Sequence, residues 1–307
     1  MGYSSDALKL RRPRTIDLPR GTDRLSFLYL DRARIWQGDT AVVVTDDDGE
    51  TTIPAASIGV LLLGPGTSIT IPALNTLHRA GCSIITTSDA GAVGIAAARP
   101  LTSRARWAEA QARLSADTTA RLAAARTLYE LRWPDLHWPD NTALNVMRGV
   151  EGRLVRNAYQ QAARRQKLGR WRRQTDPNLA DDPVNPLLNL ANSVLYGAAL
   201  VAVNALGLNP ALGIIHQGAA GALLYDLADH DKHRASIPIA FEVCRHPTPE
   251  RKLRTQLRHY LHTNRVIDRH LHTLATILQP HLHDDQGDRL IDSEHGTVPG
   301  HTNHAEH

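Results

Sequence analysis

The 307-residue sequence contains only two cysteines, Cys82 and Cys244, and aromatic residues make up 5% of the chain. Both cysteines lie in apolar neighbourhoods, without the Cys-X-X-Cys spacing of a zinc or redox site, and we expect both in the core. This scarcity excludes a disulfide framework and fits a reducing compartment. Because aromatic side chains are few, leucine, alanine, valine and isoleucine must fill the interior, and a hydrophobic content of 42% allows this.

A secretory signal and a convincing membrane span are also lacking. The N-terminal stretch MGYSSDALKLRRPR has no apolar central region. The longest apolar run, 187–208, includes three asparagines and a serine and lies between Pro186 and Pro210, which is typical of a buried core helix. We therefore expect a cytoplasmic protein without a membrane partner. The formal charge of +4 is too small to indicate nucleic-acid binding by itself.

Secondary-structure patterns divide the chain into two parts. Short β-branched or aromatic runs fill residues 21–100, with an Asp-Gly hairpin signal in TDDDGETTI (45–53) and one helical segment at 71–81. Residues 101–283 carry long Ala-, Leu- and Arg-rich segments with helical periodicity. The pattern predicts an α+β protein, with a strand-rich N-terminal domain that contains an inserted helix and a larger all-α C-terminal domain. We expect residues 1–20 to form a flexible arm and residues 284–307 a disordered tail.

The helical part leads to two specific expectations. Residues 103–133 form one long periodic segment that ends before the prolines of WPDLHWPD. Asn141 is then the predicted N-cap of the helix that carries TALNVMRGVEGRLVRNAYQQAARRQ.

Four residues in these segments have side chains suited to catalysis or metal binding. His216 lies in a glycine-flanked turn, Asp226 and Asp229 follow in an apolar segment, and Glu151 lies between two glycines. Two half-buried acids three residues apart on a helix share a face and repel each other, so a proton or a cation should lie beside them. Carboxylates together with one imidazole suit a hard divalent cation, and the imidazole favours Mn²⁺ over Mg²⁺.

Each of these residues also has a purely structural alternative. Glu151 could be a surface acid paired with Arg148 or Arg153, and His216 could be a structural histidine. The two aspartates, Asp226 and Asp229, could cap a helix or pair with Lys232 or Arg234. Most other histidines lie near the C-terminus, at spacings typical of solvated helix faces, where metal binding would be adventitious.

Basic residues are distributed as a phosphate-binding surface requires. Arginines surround Glu151, a loop at 164–173 combines arginine and lysine with Trp171, and further basic residues follow the acidic pair. Each neutralised phosphate adds salt-dependent affinity, and Trp171 is suited to stack on an unpaired base. The alternative is an arginine-rich composition that only solvates the helices. No motif of a base-reading fold is present, so DNA specificity would come from shape or from partners.

Several stretches together resemble one known family, the universal CRISPR adaptation integrase, which is the first-numbered CRISPR-associated protein, in its type I-E form. The stretches occur in family order and are DRLSFLYL (23–30), LLLGPGTSIT (61–70), MRGVEGRLVRNAY (147–159), NSVLYGAALVAV (192–203), LGIIHQG (212–218) and LLYDLADHDKH (223–233). The resemblance implies an N-terminal β-sandwich and a helical catalytic domain with one metal site per subunit.

The resemblance also implies roles for single residues. Glu151, His216 and Asp229 would bind Mg²⁺ or Mn²⁺, with Asp226 as an accessory acid and Tyr196 near the reacting DNA. Arg104 lies where the family has a DNA-contacting basic residue, and the clustered residues predicted to join it are Arg148, Arg164, Arg165, Lys167, Arg170, Arg172 and Arg245. Two positions depart from the family pattern, because Arg32 lies near the place of a DNA-stacking tyrosine and Ser68 lies at that of an arginine.

The family joins the 3′-hydroxyl ends of captured foreign DNA into the CRISPR array by metal-assisted transesterification, and nicking of DNA is the expected side reaction. The implied partners are protospacer and repeat DNA, a second copy of the chain in a homodimer, and a dimer of the second-numbered CRISPR-associated protein in a heterohexamer. Two alternatives stay open. One is a stand-alone metal-dependent nuclease without integration, and the other is a non-catalytic DNA-binding scaffold.

Overall fold

A computed structural model of the chain describes residues 27–39, 41–88, 91–96, 105–176, 182–282, 289–292 and 296–299. The chain divides into two compact units, each assembled from separate segments. The first comprises Met1–Ala98, Arg173–Val201 and Val243–Asp268, and the second comprises Arg99–Arg172, Ala202–Glu242 and Arg269–His307. The predicted domain boundaries near 100 and 283 stay predictions.

Two four-stranded sheets form the β-structure of the first unit. Its strands are β1 (Leu28–Leu30), β2 (Arg34–Gln37), β3 (Ala41–Asp46), β4 (Gly49–Pro54), β5 (Val60–Leu63), β6 (Ser68–Ile69), β7 (Ser83–Ser88) and β8 (Gly91–Ala96). One sheet has the order β1-β5-β7-β8 and the other β4-β3-β2-β6. In the first sheet β1, β5 and β7 are parallel and β8 is antiparallel.

The two sheets share one apolar core with the inserted helix α1 (Ile71–Arg79). Its buried members include Ile35, Val42 and Val44 from one sheet, Leu61 and Ile84 from the other, and Ala73 and Leu77 from α1. The β3–β4 hairpin closes between Asp46 and Gly49, where the Asp-Gly signal predicts it. The predicted strand-rich N-terminal part with one inserted helix is confirmed.

The C-terminal part is larger and helical, as predicted. Its helices are α2 (Arg106–Ala116), α3 (Thr118–Arg132), α4 (Leu144–Arg165), α5 (Val184–Ala205), α6 (Ala222–Asp231), α7 (Ile237–Val243), α8 (Pro249–Thr263) and α9 (Val266–Leu278). By length and composition α5 is apolar enough to cross a membrane, but 78% of its most apolar window is buried inside the fold. This burial agrees with the predicted core helix.

Two helix starts differ from the prediction. Residues 103–133 are not one helix, because Asp117 separates α2 from α3. Its carboxylate accepts hydrogen bonds from the N–H groups of Thr119 (2.8 Å) and Ala120 (3.0 Å) and so caps α3. Asn141 is not the N-cap of α4. A turn closed by a hydrogen bond between residues 139 and 142 comes first, and the N-cap is Ala143.

Two short strands, β9 (Arg289–Asp292) and β10 (Gly296–Pro299), pair antiparallel near the C-terminus. The expectation of a disordered tail from residue 284 did not include this hairpin, in which the β-forming residues Leu290, Ile291 and Val298 take part. The predicted flexible arm at 1–20 and the predicted DNA contact Arg104 lie outside the described residues.

Candidate functional site

Glycines set the path of the loop that carries His216. A Cβ on Gly213 would lie 2.3 Å from the carbonyl oxygen of His216 and 2.7 Å from the Cβ of Ala222, so only glycine fits. Gly218 has a φ of +78°, in the left-handed region that glycine adopts without strain. The glycine-flanked turn therefore holds the loop tightly against the start of α6.

Asp226 of α6 is a buried acid that organises this loop. Its carboxylate accepts hydrogen bonds from the backbone N–H groups of Ile214 (2.6 Å), Ile215 (3.1 Å) and His216 (2.9 Å). Its Oδ1 also lies 2.7 Å from Nδ1 of the His216 ring. A carboxylate has about four acceptor positions, so these four donors occupy it. Asp226 therefore positions the loop and the ring, and its acceptor positions are filled by these donors.

The contact with Asp226 fixes the orientation of the His216 ring. This hydrogen bond raises the pKa of His216 above its ordinary value, and the charge of Asp229 adds to the rise, although burial acts in the opposite direction. With Nδ1 directed at Asp226, Nε2 faces Asp229, whose Oδ2 is 3.8 Å away. A carboxylate behind the ring is the arrangement that orients most metal-binding histidines.

Asp229 lies one helical turn after Asp226, and cations balance its charge. The Nζ of Lys232 lies 2.5 Å from Oδ1 as an ion pair, and Nη2 of Arg132 lies 4.0 Å from Oδ2. Burial raises the pKa of Asp229, but Lys232 and Arg132 outweigh this effect, so the pKa lies below its ordinary value. The predicted pair with Lys232 is therefore present at Asp229, whereas Asp226 is satisfied by backbone N–H groups and His216.

Glu151 of α4 reaches the same cluster through two residues of α3. The hydroxyl of Tyr129 donates a hydrogen bond to Oε2 at 2.8 Å, and the guanidinium of Arg132 forms a short ion pair with Oε1. Arg132 is only 1% exposed and also donates to the backbone carbonyl of Asp226 at 3.3 Å. Burial and the neighbouring Glu151 raise the pKa of Tyr129, which keeps its hydroxyl proton for this bond. Glu151 is thus held from another helix rather than by its neighbours on α4.

The structure therefore brings Glu151, His216 and Asp229 together. One guanidinium contacts both acids, and Asp229 faces His216. The 3.8 Å between His216 Nε2 and Asp229 Oδ2 is shorter than about 4.2 Å, twice a typical Mg²⁺–oxygen distance, so both atoms can contact one cation. In the described part of the chain, no group of three or more His, Cys, Asp or Glu side chains is arranged so that it could hold a metal ion. In this arrangement Arg132 supplies the positive charge between the acids, and the residue types, two carboxylates and one imidazole, are those that suit a hard divalent cation.

Tyr129 and Arg132 were not predicted as site residues, although the sequence contains a signal for them. Ala125, Leu128, Tyr129 and Arg132 have the i, i+3, i+4, i+7 spacing of one helix face, and all four are buried. An arginine in such a stripe predicts a buried anionic partner, because an unpaired buried charge is costly. The stripe does not indicate which acid that partner is.

The residues predicted to bind DNA are exposed wherever the structure describes them. They are Arg148, Arg164, Arg165, Lys167, Arg170 and Arg172 in the second unit and Arg245 in the first. Two more arginines of α4, Arg153 and Arg156, are also exposed, and Glu151 is the single acid on this helix. The exposed charged residues of α4 are therefore all basic.

Two aromatic residues singled out from the sequence have other surroundings. Trp171 packs between Tyr159 and Phe241, with ring centroids 5.2 Å and 4.8 Å away, so its ring is already in contact with aromatic neighbours. Tyr196 is half-buried on α5 within the first unit. Its place near reacting DNA stays a prediction.

Comparisons with known sequences point to one family. A family model described as CRISPR associated protein Cas1 matches residues 135–246, which include Glu151, His216 and Asp229. The CRISPR-associated endonuclease Cas1 of Clostridium sp. (strain SY8519) is 35% identical over 230 residues, which are 74% of this chain and 75% of that protein. The CRISPR-associated endonuclease Cas1 2 of Thermus thermophilus is 34% identical over 267 residues, with coverage of 86% and 82%.

Solved structures have the same fold. The TtCas1–DNA complex matches with a TM-score of 0.79 at 32% identity, over 90% of this chain and 99% of that chain. A casposase bound to its integration product matches with a TM-score of 0.67 at 14% identity, over 83% and 91%, which is a likeness of fold alone.

Proposed function

Because this chain belongs to the Cas1 family of CRISPR-associated endonucleases, we propose that it joins 3′-hydroxyl ends of captured foreign DNA into a CRISPR array. In this reaction the hydroxyl oxygen attacks a phosphodiester of the repeat, a new P–O bond forms, and the bond to the leaving 3′ oxygen breaks. The proton of the attacking hydroxyl ends on the leaving oxygen. With water as the attacking group, the same site would act as an endonuclease.

The convergence of Glu151, His216 and Asp229 carries this proposal. These residues come from α4, from the loop before α6 and from α6, and they meet through Arg132 and through the 3.8 Å approach of His216 to Asp229. Acids that only solvated the surface would not share one buried guanidinium.

The chain's own residues hold the site in place. Asp226 keeps Nε2 of His216 turned toward Asp229. Tyr129 and Arg132 each contact one oxygen of Glu151, which restricts its rotation. A bound Mg²⁺ or Mn²⁺ would supply positive charge to the reacting phosphate and to the leaving oxygen.

The partners belong to the same proposal. The basic exposed side of α4 supports contact with protospacer and repeat DNA, and a relative 32% identical to this chain is known in complex with DNA. A Cas6-RT-Cas1–Cas2 complex contains a chain of this fold. We propose a homodimer that assembles with a dimer of Cas2 into a heterohexamer in the cytoplasm, as part of a type I-E system, with Tyr196 and Arg245 facing DNA.

A strand-joining assay tests the function. Protein supplied with Cas2, 3′-hydroxyl duplexes and a repeat-bearing plasmid should join DNA in Mg²⁺ or Mn²⁺ and not in a chelator. Glu151→Gln, His216→Gln and Asp229→Asn should each reduce joining about a thousandfold or more. The matched exposed controls, Glu109→Gln and His262→Gln, should retain it. Metal-dependent cutting without joining would favour a stand-alone nuclease. Unchanged DNA processing in all three variants would favour a scaffold.

A further inference from the structure

Lys232 is paired with one of the acids that meet at the site. Its Nζ lies 2.5 Å from Oδ1 of Asp229 as an ion pair. It is also the first residue of a π-helical turn, Lys232–Ser236, that directly follows α6. Such turns are rare and occur mostly at functional sites. The contact and the backbone therefore both single out Lys232, a residue to which the proposed function gives no role.

The charges of the two acids at the site are already balanced. Arg132 forms a short ion pair with Glu151 and lies 4.0 Å from Asp229, and Lys232 pairs with Asp229 directly. A divalent cation on Asp229 would share that carboxylate with the ammonium of Lys232, and like charges so close repel each other strongly where water is partly excluded. One basic side chain must therefore leave before Asp229 can bind such a cation well.

The two basic side chains differ in their freedom to leave. The side chain of Arg132 is 2% exposed, donates to the backbone carbonyl of Asp226 at 3.3 Å and lies 5.0 Å from the ring centroid of Trp133. The side chain of Lys232 is 22% exposed and ends in a strongly hydrated ammonium on a flexible stem. Asp229 keeps 12% of its own side chain exposed, so a ligand can reach it. Lys232 is thus the partner that can be exchanged.

We propose that Lys232 is an exchangeable counterion, which holds Asp229 while no DNA is bound and moves to a phosphate when DNA arrives. The inference rests on the proposed function, which brings a phosphodiester to this site. Lysine binds phosphate as a point charge, so one ion pair of Lys232 replaces another. Asp229 then becomes accessible to the divalent cation. DNA and the cation therefore favour each other's binding, and by linkage each raises the affinity of the other by the same factor.

Mn²⁺ binding without DNA tests the first half of this exchange. EPR spectroscopy of Mn²⁺ titrated into the purified protein gives a Kd that does not depend on any reaction. Lys232→Met keeps a long side chain, removes its charge, and should bind Mn²⁺ about tenfold more tightly than the wild type. The matched control Lys252→Met removes the same charge from an exposed position on α8 and should leave the Kd unchanged. Adding Asp229→Asn to Lys232→Met should abolish the tighter binding, which assigns it to this site.

The linkage to DNA gives a second readout. The probe is a duplex with 3′-dideoxy ends, which cannot be joined, and its Kd is measured with Mn²⁺ and in a chelator. Mn²⁺ should tighten DNA binding by the wild type about tenfold more than DNA binding by Lys232→Met, because only the wild type has a pair with Asp229 to give up. A cation that merely bridged protein and DNA would tighten binding equally in both proteins.

Two results overturn the inference, namely equal Mn²⁺ affinities of the wild type and Lys232→Met without DNA, or a linkage that Lys232→Met leaves unchanged. In either case strand joining by the wild type would still support the proposed function. If neither protein binds Mn²⁺ at Asp229, with or without DNA, both proposals fail. Thermal denaturation establishes that the variants are folded, and Lys232→Gln carries the same expectations if Lys232→Met is not.

Discussion

Asp229 and Asp231 lie two residues apart on α6, and their surroundings differ. The side chain of Asp231 is fully buried and contacts Arg269 and His270 of α9. Asp229 instead faces the His216 loop and pairs with Lys232, and 12% of its own side chain is exposed. Residues two apart on a helix do not share a face, so one short segment serves two environments. An acid without exposed side-chain surface is a structural ion pair, whereas an acid that keeps some exposed surface can exchange a partner for a ligand.

The largest expected effect is the loss of stability when either acid is replaced, and it tests directly whether Asp231 and Asp229 differ. Asp231→Ala should lower the free energy of unfolding by about 3–5 kcal/mol, because it removes a fully buried carboxylate and leaves the buried His270 without that acceptor. Asp229→Ala should cost less than about 1 kcal/mol, because Lys232 can turn to solvent and Arg132 keeps Glu151. Urea denaturation measures both values. Equal losses would show that the two acids have the same structural role.

Asp226, the third acid of α6, should have an intermediate effect on stability. Asp226→Asn replaces one acceptor oxygen with an amide donor that faces N–H groups, and should cost about 1–3 kcal/mol. It should also lower the pKa of His216, because the bond to Asp226 is the main cause of its rise. An NMR titration of the His216 ring follows this change. Asp229→Asn serves as the control and should lower the pKa less, and the reverse order would contradict the role given to Asp226.

His216 and His230 should change the free energy of unfolding with pH in opposite directions. This is the smallest of the expected effects. Because the pKa of His216 is raised, its contribution to stability is fully present below the ordinary value of 6.5 and is lost as the pH rises through its folded value. Burial lowers the pKa of His230 to about 3, so below 6.5 the unfolded chain binds a proton that the folded chain does not. His230 therefore costs stability as the pH falls.

Urea unfolding at about pH 5.5 and about pH 8.5 checks these signs. His216→Gln should lose more stability, relative to the wild type, at the lower pH. His230→Gln should become more favourable relative to the wild type as the pH falls. A pH-independent difference for either variant would contradict the assigned surroundings of that histidine.

Local patterns were enough to predict much of the fold. The Asp-Gly hairpin, the inserted helix and the apolar core helix α5 are each decided by neighbouring residues, and each is present. The N-cap at Asp117 is also a local signal. Because helical periodicity continues on both sides of it, the sequence predicted one long helix. What sequence reasoning could not supply was long-range pairing. Nothing near Glu151 indicates a bond to Arg132, nineteen residues earlier, and nothing near Asp226 indicates that its oxygens are taken by a loop.

Gly149 and Gly152 lie exposed on α4 on either side of Glu151, and a Cβ added to either would meet no atom within 4 Å. Each costs the helix about 1 kcal/mol relative to alanine, and no packing contact in the described fold requires it. The peptide groups of Gly149 and Gly152 beside Glu151 are therefore not covered by a side chain of their own residue. A sugar–phosphate chain crossing α4 here can come one methyl group nearer to the helix axis than it can over the arginine-covered turns that follow.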